Sequence, residues 1–416
     1  MAGAGGTPAD GWLARLAELD ARSLRRHPPV ATAASPAWIT IDGRRLANFA
    51  SNDYLGLSVH PAVTAAAAEA AARWGAGARA SRLVSGTLEV HEALEEDLAR
   101  FKGTEAALVF SSGYMAGLAL VATAALRADG TRAPVVFDRL AHACLIDGAL
   151  AAGGRWARFD HNDAADLGRV LDGLPAADPA SGPVPSAVVV TEGVFSMDGD
   201  AAPIAALHAV CATRGALLLI DDAHGTGTRG PGGRGSVAAA GLDPRDPWLV
   251  QMGTLSKSLG AQGGFVAGPA ALIELMKSTA RTFLFDTALA PPAAAAARAA
   301  LALLTAHPAM TDRLRALSRL ARAALTTTTG GSEDEEALPI IPQMVGDPSD
   351  AAALSIGLRQ LGHHVPAIRP PTVPAGTSRL RITINASTPM ESIHELAQHL
   401  QSLTRETPSP PSPSSM

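Results

Sequence analysis

Three short segments place side chains suited to covalent catalysis directly after apolar runs. The run LLLI is followed by DDAHGTG, which contains Asp221, Asp222 and His224. The run WLVQM is followed by GTLSKSLG, in which Lys257 lies among small and hydroxyl residues. The run ALVF is followed by SSGY, residues 111–114, where backbone N–H groups and hydroxyls can bind a phosphate at a helix start.

Each segment has an ordinary explanation when it is considered alone. An acid at a strand end is more often a helix cap or surface residue, and a lysine is usually a solvated charge. Together the segments meet the needs of pyridoxal 5'-phosphate (PLP): an imine-forming amine, an acid that keeps the pyridine nitrogen protonated, and an anion site. We therefore predict that Lys257 carries PLP and that Asp221 is the acid. Lys102 and Lys277 lie in helical runs with polar neighbours, which predicts surface positions.

A competing motif is GTGTRG, residues 225–230, which formally matches the dinucleotide fingerprint G-x-G-x-x-G. That fingerprint requires a helix that starts at the motif. The residues that follow are PGGRGS, which do not favour a helix start, so we predict that the match is accidental.

The elements that position these segments alternate between short apolar runs and helical stretches. Continuously apolar strands are typical of a mainly parallel sheet that is covered by helices on both faces. The predicted strands are Ala107–Phe110, Val135–Asp138, Ala187–Thr191, Leu217–Asp221, Leu249–Met252 and Gly264–Ala267. Such sheets place their chemistry at the carboxyl ends of the strands.

The rest of the chain predicts three further parts. A leading helix spans residues 11–26, and a second unit begins with the Ala-rich helix near Pro291. This unit has a polar break at residues 326–336, a strand at residues 378–384 and a final helix at residues 390–403. The predicted division is an N-terminal helix and arm (1–55), a large domain (56–290), a small α+β domain (291–405) and a Pro/Ser-rich disordered tail (406–416).

Composition excludes several classes of partner for these 416 residues. A net charge of −5 with 18% charged residues favours neither nucleic acid nor an anionic membrane. The two cysteines, Cys144 and Cys211, form no metal-binding or disulfide pattern, so no metal is expected. The N-terminus lacks the features of a signal peptide, and we expect a cytoplasmic protein.

Several motifs together resemble those of the α-oxoamine synthases, a family of PLP enzymes. The similarity runs from about residue 45 to residue 400, and the motifs are specific only in combination. They are FASNDYLGL, ASRLVSG, FSSGYMAG, TEGVFSMDGD, DDAHGTG, TLSKSLG, RTFLFDT and RPPTVPAGTSRLRIT. Within the family, the chain looks most like the branch that makes 8-amino-7-oxononanoate for biotin biosynthesis.

The resemblance implies the PLP-dependent transferase fold of type I and a homodimer with a shared active site. It also implies a decarboxylating condensation of L-alanine with pimeloyl-CoA or pimeloyl-ACP. The alternatives are glycine C-acetyltransferase or another α-oxoamine synthase, and, outside enzymes, a catalytically silent partner subunit. The last alternative is disfavoured because the residues that the chemistry needs are present.

The resemblance also assigns roles to individual residues. It implies contacts with PLP for Gly113, Tyr114, His142, Ser196, Asp221, His224, Thr254, Lys257 and, from the neighbouring subunit, Thr287. Lys257 would also be the base, His224 would bind the ring's phenolic oxygen, and His142 would stack on the ring, so that with Asp221 these are the catalytic residues. Arg381, preferred over Arg379, would bind the substrate carboxylate near Asn52. Ala141, Gly117 and Asp286 differ from the commoner family pattern but remove no group that the chemistry needs.

Overall fold

The structure is a computed structural model that describes residues 7–175, 184–325 and 337–406. The predicted polar break at residues 326–336 lies outside these ranges. So does the predicted disordered tail, apart from Glu406, which is the last residue of a helix.

The strands and helices are numbered along the chain. The strands are β1 (Ala31–Ala34), β2 (Trp38–Ile41), β3 (Arg44–Asn48), β4 (Ala106–Phe110), β5 (Val135–Asp138), β6 (Trp156–Phe159), β7 (Val188–Glu192), β8 (Leu217–Asp221), β9 (Leu249–Thr254), β10 (Gly264–Gly268), β11 (Ile340–Gly346), β12 (His363–His364), β13 (Ala367–Ile368) and β14 (Ser378–Thr383). The α-helices are α1 (Pro8–Ala21), α2 (Pro61–Trp74), α3 (Glu89–Lys102), α4 (Gly113–Ala124), α5 (Ala143–Ala152), α6 (Ala164–Asp172), α7 (Ile204–Arg214), α8 (Ser236–Ala239), α9 (Ala270–Thr279), α10 (Arg281–Leu284), α11 (Pro291–Ala306), α12 (Ala309–Leu325), α13 (Pro348–Gln360) and α14 (Met390–Glu406).

The described residues of Asn52–Ala316 form one unit, built around a seven-stranded sheet. The strand order is β4-β10-β9-β8-β7-β5-β6, and every neighbouring pair is parallel except the two that involve β10. Buried apolar side chains form two clusters, one that includes α4 and α5 and another that includes α6 and α7. Strands β5, β7, β8, β9 and β10 are buried along their length, which explains why their sequences are largely apolar.

All six predicted strands are confirmed, with ends that differ by at most two residues. The strand β6 is missing from the prediction. Its sequence, WARF, is mostly exposed or half-buried at the edge of the sheet and therefore lacks a continuous apolar run. The GTGTRG segment forms turns and is followed by a single 3₁₀ turn, Pro231–Gly233, and not by the α-helix that the dinucleotide fingerprint requires, which agrees with the rejection of that motif.

The described residues of Met1–Ser51 and Leu317–Met416 form the other unit. It contains two small sheets, with strand orders β1-β2-β3-β12 and β11-β14-β13. Its core is apolar and draws on β14, α13 and α14. The predicted strand at residues 378–384 and the final helix are confirmed, whereas the leading helix spans Pro8–Ala21, not residues 11–26.

Helix α1 begins earlier than predicted because Thr7 and Asp10 form a capping box around Pro8. The domain boundaries at residues 55, 290 and 405 remain a prediction. Among the described residues, no helix is both long enough and apolar enough to cross a membrane.

Candidate active site

The predicted cofactor-binding residues follow strands that end at one edge of the central sheet. Strands β5, β7, β8 and β9 are parallel, and β4 points the same way because β4 and β9 each pair antiparallel with β10. Open α/β sheets place their ligands at the carboxyl ends of the strands. The ends of these five strands and the segments after them contain every predicted PLP-binding residue except Thr287.

Asp221 is the last residue of β8, and its carboxyl group is buried. Its Oδ1 accepts a hydrogen bond from the N–H of Ala223 at 2.9 Å. Burial raises the pKa of Asp221 above its usual value, while Lys257 and His142 act in the opposite direction. A cationic group bound beside this carboxyl would favour its ionised form. The position therefore suits an acid that pairs with a protonated ring nitrogen.

Lys257 belongs to a chain of hydrogen bonds. Its Nζ lies 2.7 Å from Nε2 of His224, and Nδ1 of His224 lies 2.6 Å from the hydroxyl of Tyr54. The Tyr54 hydroxyl donates to Oδ1 of Asn52 at 3.3 Å. All three bonds form together when Lys257 donates to Nε2 and the Nδ1–H of His224 donates to Tyr54. The structure thus brings the predicted residues Asn52, His224 and Lys257 into one network.

Tyr54 is absent from the predicted site residues, although its side chain is fully buried. Its ring packs beside that of His224, with the ring centroids 5.9 Å apart. The motif FASNDYLGL contains Tyr54, but its partner lies 170 positions later in the chain. The motif therefore draws attention to Tyr54, but only the tertiary structure shows that Tyr54 contacts His224.

His142 precedes the first residue of α5 and caps that helix. Its Nδ1 accepts from the N–H of Cys144 at 3.3 Å and lies 3.0 Å from Sγ of Cys144. A ring nitrogen of His142, Sγ of Cys144 and a carboxylate oxygen of Asp221 all lie within 4.8 Å of one another. Desolvation lowers the pKa of His142 below its usual value of 6.5, while the charge of Asp221 acts in the opposite direction and the residue keeps solvent exposure. The neutral imidazole is therefore the favoured form at pH 7. The structure therefore places a neutral imidazole beside Asp221.

The start of α4 is the predicted phosphate site. The N–H groups of the first helical turn have no partner within the helix and favour an anion, and α4 begins at Gly113, directly after β4. A Cβ added at Gly113 would lie 3.3 Å from Oγ1 of Thr254, so these two predicted residues are in contact. The hydroxyl of Thr254 donates to the carbonyl of Gly263 at 2.9 Å. Gly113 and Thr254 therefore lie against each other at the helix start.

Three other predicted residues lie in different surroundings. Tyr114, the second residue of α4, is 41% exposed, and its hydroxyl donates to Asp147, a bond that raises the pKa of Tyr114. The N–H of Ser196 donates to Oε2 of Glu192 at 3.3 Å. Thr287 is exposed, and its contact with a neighbouring subunit remains a prediction.

Glu192 is a buried acid that the sequence analysis does not single out. It is the last residue of β7 and the register partner of Asp221 on β8. Burial raises the pKa of Glu192 well above its usual value of 4.5, and the charge of Asp221 raises it further. The motif TEGVFSMDGD contains Glu192, but only the strand register places it beside Asp221.

The two candidate arginines for substrate binding lie on β14, in the other unit. Both Arg379 and Arg381 are buried, and Nη1 of Arg381 donates to the hydroxyl of Thr383 at 3.0 Å. Residues two apart on a strand share a face, so the two arginines are alternatives for the same role. Carboxylate binding by Arg381 and Asn52 remains a prediction.

The prediction that Lys102 is a surface residue is wrong. Lys102 ends α3, its side chain is fully buried, and Nζ donates to Oδ2 of Asp222 at 2.7 Å. Its polar neighbours suggested exposure, but a carboxylate 120 positions later provides the partner that a buried ammonium requires. Lys277, in contrast, is partly exposed on α9 and pairs with Glu274 one turn away, which confirms its surface prediction.

One departure from the commoner family pattern has a packing reason. A Cβ added at Gly117 would lie 2.7 Å from Sγ of Cys144 and 3.2 Å from Sδ of Met252. Helix α4 therefore approaches its neighbours too closely for a larger side chain. Asp286, another departure, accepts a hydrogen bond from Ser111.

Comparison with known proteins agrees with this arrangement. The family profile of the class I and II aminotransferases matches residues 44–400. The chain is 45% identical over 382 residues to the 8-amino-7-oxononanoate synthase of Geobacter sulfurreducens, which covers 89% of this chain and 92% of the relative. The chain belongs to the class I and II aminotransferases, and within them to the α-oxoamine synthases.

Solved structures of other α-oxoamine synthases share this fold. The serine palmitoyltransferase of Sphingomonas wittichii is similar, with a TM-score of 0.86 and 32% identity over 95% of this chain and 97% of the other. A structure of SPT with PLP has a TM-score of 0.85 and 31% identity over the same shares. The predicted PLP-dependent transferase fold of type I is confirmed. This α-oxoamine synthase is a PLP-dependent acyltransferase.

The side chains of the site fit PLP in type and place. A buried acid, Asp221, ends a central strand, and the amine of Lys257 lies within hydrogen-bond distance of His224. The start of α4 offers backbone N–H groups to a phosphate. These are the three features that the cofactor requires.

Proposed function

We propose that this enzyme condenses L-alanine with pimeloyl-CoA, or with pimeloyl-ACP, to give 8-amino-7-oxononanoate for biotin biosynthesis. Cα of alanine loses its proton and bonds to the thioester carbonyl carbon as the thiol leaves. The alanine carboxylate then leaves as carbon dioxide, and a proton takes its place at Cα. The observation that carries the proposal is the 45% identity, over 382 residues, with a relative named for this activity. The segments GAQGGFV and RTFLFDTALAPP support it by their resemblance to the same branch.

The residues at the sheet edge would hold the cofactor. Lys257 would bind PLP covalently, Asp221 would pair with the ring nitrogen, and His224 would bind the phenolic oxygen. When bound, PLP supplies an electron sink for the electron pair that remains after the amino acid loses its Cα proton. Gly113 and Thr254 would contact the phosphate, with Tyr114 and Ser196 close by.

Lys257 would act as the base once the substrate amine has displaced it. An amine accepts a proton only in its neutral form, so Lys257 would have to be released as the neutral amine. Nε2 of His224, 2.7 Å from Nζ, is a hydrogen-bond partner for the ammonium that results. The bond from His224 to Tyr54 orients the imidazole for this contact.

The remaining site residues would orient the substrate. His142, as a neutral imidazole next to Asp221, would stack on the ring and leave the charge of Asp221 for the ring nitrogen. Arg381 and Asn52 would bind the alanine carboxylate, for which a guanidinium offers a two-pronged donor. Thr287 would reach the phosphate of a partner subunit, so that the enzyme would act as a dimer.

The test is substrate selection by the purified, PLP-loaded enzyme. L-Alanine, glycine and L-serine are each supplied with pimeloyl-CoA, acetyl-CoA or palmitoyl-CoA, and thiol release and product mass are measured. We expect turnover with L-alanine and pimeloyl-CoA, and a product with the mass of 8-amino-7-oxononanoate.

Two outcomes would redirect the assignment. Preference for glycine with acetyl-CoA would make the enzyme a glycine C-acetyltransferase. Preference for serine with palmitoyl-CoA would instead group it with the serine palmitoyltransferases that share its fold. In both cases the proposed use of L-alanine would be refuted, while the assignment of PLP chemistry would stand.

A further inference from the structure

Lys102 forms a fully buried ion pair behind the active-site strand β8. Its Nζ donates to Oδ2 of Asp222 at 2.7 Å, to the carbonyl of Arg234 at 2.7 Å and to Oγ1 of Thr226 at 3.4 Å. The side chains of Lys102 and Asp222 are both 0% exposed. An ammonium has three N–H donors, so each N–H of Lys102 has an acceptor.

Asp222 is held by both its side chain and its backbone. Its Oδ1 accepts from the N–H of Ser236 at 3.0 Å, and its Oδ2 accepts from the hydroxyl of Thr226 at 3.3 Å. Its own N–H donates to the carbonyl of Met252 on β9, and its carbonyl accepts from the N–H of Thr226, both at 2.8 Å. The residue therefore connects the turn after β8 to the strand that leads to the active-site lysine.

Glycines surround the Asp222 carboxylate closely. A Cβ at Gly235 would lie 1.7 Å from Oδ2, and a Cβ at Gly225 would lie 2.0 Å from Oδ1. Gly235 also has φ of +102°, which side chains other than glycine rarely adopt. A Cβ at Gly193 would lie 2.7 Å from Oδ1. The carboxylate therefore fills its site and is held against the backbone of the turn.

We infer that Lys102 is a positioning residue that holds the turn at residues 221–226 through Asp222. Asp221 directly precedes Asp222 in the chain, and His224 follows two residues later. The ion pair therefore sets the places of the two side chains that face the cofactor, although Lys102 itself does not contact them. The inference rests on the proposed contacts of Asp221 and His224 with PLP, and not on the identity of the substrates.

The test separates positioning from stability. Loss of one partner leaves an uncompensated buried charge, whereas removal of both charges is often neutral for stability. The test variant is therefore the double substitution Lys102→Met with Asp222→Asn, in which Asn keeps an acceptor for Ser236. Lys277→Met removes a surface lysine and is the matched control.

Three quantities are measured for each variant: the Kd for PLP, the pH midpoint of the near-visible absorption of bound PLP, and the Tm of the apoprotein. For the double variant we expect a Tm close to that of the control and a Kd for PLP raised by about tenfold or more, the size of effect that loss of an outer-shell partner has at metal sites. We also expect a shifted pH midpoint, because the position of Asp221 controls the charge of the ring. Lys102→Arg, which keeps the cation, should have a Kd for PLP between those of the double variant and the wild type.

A double variant whose Kd and pH midpoint match those of Lys277→Met would overturn the inference, whatever its Tm. Asp221→Asn in the same assays tests the proposed function separately. If that variant also leaves Kd and absorption unchanged, the proposed contact of Asp221 with PLP is refuted. If Asp221→Asn changes both and the double variant changes neither, only the role of Lys102 is refuted.

Discussion

Glu192 and Asp221 lie directly beside each other on the parallel strands β7 and β8, and both carboxyl groups are buried. Two buried carboxyl groups on neighbouring strands resist ionisation at the same time, because each negative charge disfavours the other. Burial raises the pKa of both groups, and the charge of Asp221 raises that of Glu192 further. The pair therefore favours a protonated Glu192 next to an Asp221 that is available to a cationic cofactor ring.

The replacement Glu192→Gln is expected to remove a pH dependence of stability. A carboxyl whose pKa is raised in the folded state contributes stability below the unfolded pKa of about 4.5, and loses it as pH rises towards the folded pKa. Between these two pKa values, the free energy of unfolding of the wild-type apoprotein should therefore fall as pH rises, relative to that of the variant. The expected slope is up to about 1.4 kcal/mol per pH unit. Urea unfolding from about pH 5 to about pH 8 measures this difference.

Glu274→Gln, at an exposed carboxyl, is the control for this experiment. Its free energy of unfolding should follow that of the wild type at every pH. Parallel curves for the wild type and Glu192→Gln would show that Glu192 is ionised in the folded protein, contrary to the prediction.

Tyr54→Phe is expected to reduce activity through His224. The substitution keeps the buried ring but removes the hydroxyl that lies 2.6 Å from Nδ1 of His224. Loss of the hydrogen-bond partner of a buried polar group costs about 1–3 kcal/mol of free energy. A cost of about 1.4 kcal/mol in the transition state corresponds to a tenfold change in rate. We therefore expect a roughly tenfold loss in kcat and an altered pH dependence of kcat.

Thr228→Val is the comparison, because the Thr228 hydroxyl donates to the carbonyl of His224 and not to its ring. This variant should lose stability without a change in the pH profile of kcat. If Tyr54→Phe and Thr228→Val have the same profile, the hydroxyl of Tyr54 does not control the imidazole.

His161 is expected to stabilise the fold in its protonated form. It lies between Asp138 and Asp200, with both ring nitrogens 2.9 Å from carboxylate oxygens. Burial lowers the pKa of His161, but the bonds to the two carboxylates outweigh burial and raise the pKa to about 10. The stabilisation is fully present below the usual pKa of 6.5 and is lost as pH rises through about 10.

We therefore expect His161→Gln to lower the free energy of unfolding by about 3 kcal/mol near pH 7, because the buried Asp138 loses its cation. The difference from the wild type should shrink as pH approaches the folded pKa of about 10, as measured by urea unfolding across this range. His208→Gln removes a histidine that is bonded to one carboxylate only, so it should lower the free energy of unfolding by less than His161→Gln does. A His161→Gln deficit that stays constant with pH would argue against a protonated His161.

Lys257→Ala is expected to remove both the covalent attachment of PLP and the base. Loss of a general base alone typically costs about 10²–10⁴-fold in rate. The purified variant should lack the near-visible absorption of the attached cofactor, and thiol release should fall by at least that factor. Lys277→Ala should keep both the near-visible absorption and the rate of thiol release. A PLP adduct that remains on the protein after borohydride reduction of Lys257→Ala would mean that another amine carries PLP.

The sequence by itself determined the fold class and where the candidate site residues lie relative to the strands, because both leave a local trace. A buried strand that ends in an acid or a Gly/Ser-rich turn is visible within about ten residues. All six predicted strands of the central sheet were correct, as were the places of Asp221 at the end of β8 and Lys257 after β9. The edge strand β6 left no such trace, because its alternating exposure breaks the apolar run.

Only the tertiary structure decided which polar side chains are buried next to each other. Lys102 meets Asp222 across 120 positions, Tyr54 meets His224 across 170, and Glu192 reaches Asp221 through the register of two strands. A charged or polar side chain is buried only where a partner offsets its desolvation. That partner is set by how the strands align and where the helices pack, and no local window of sequence contains it.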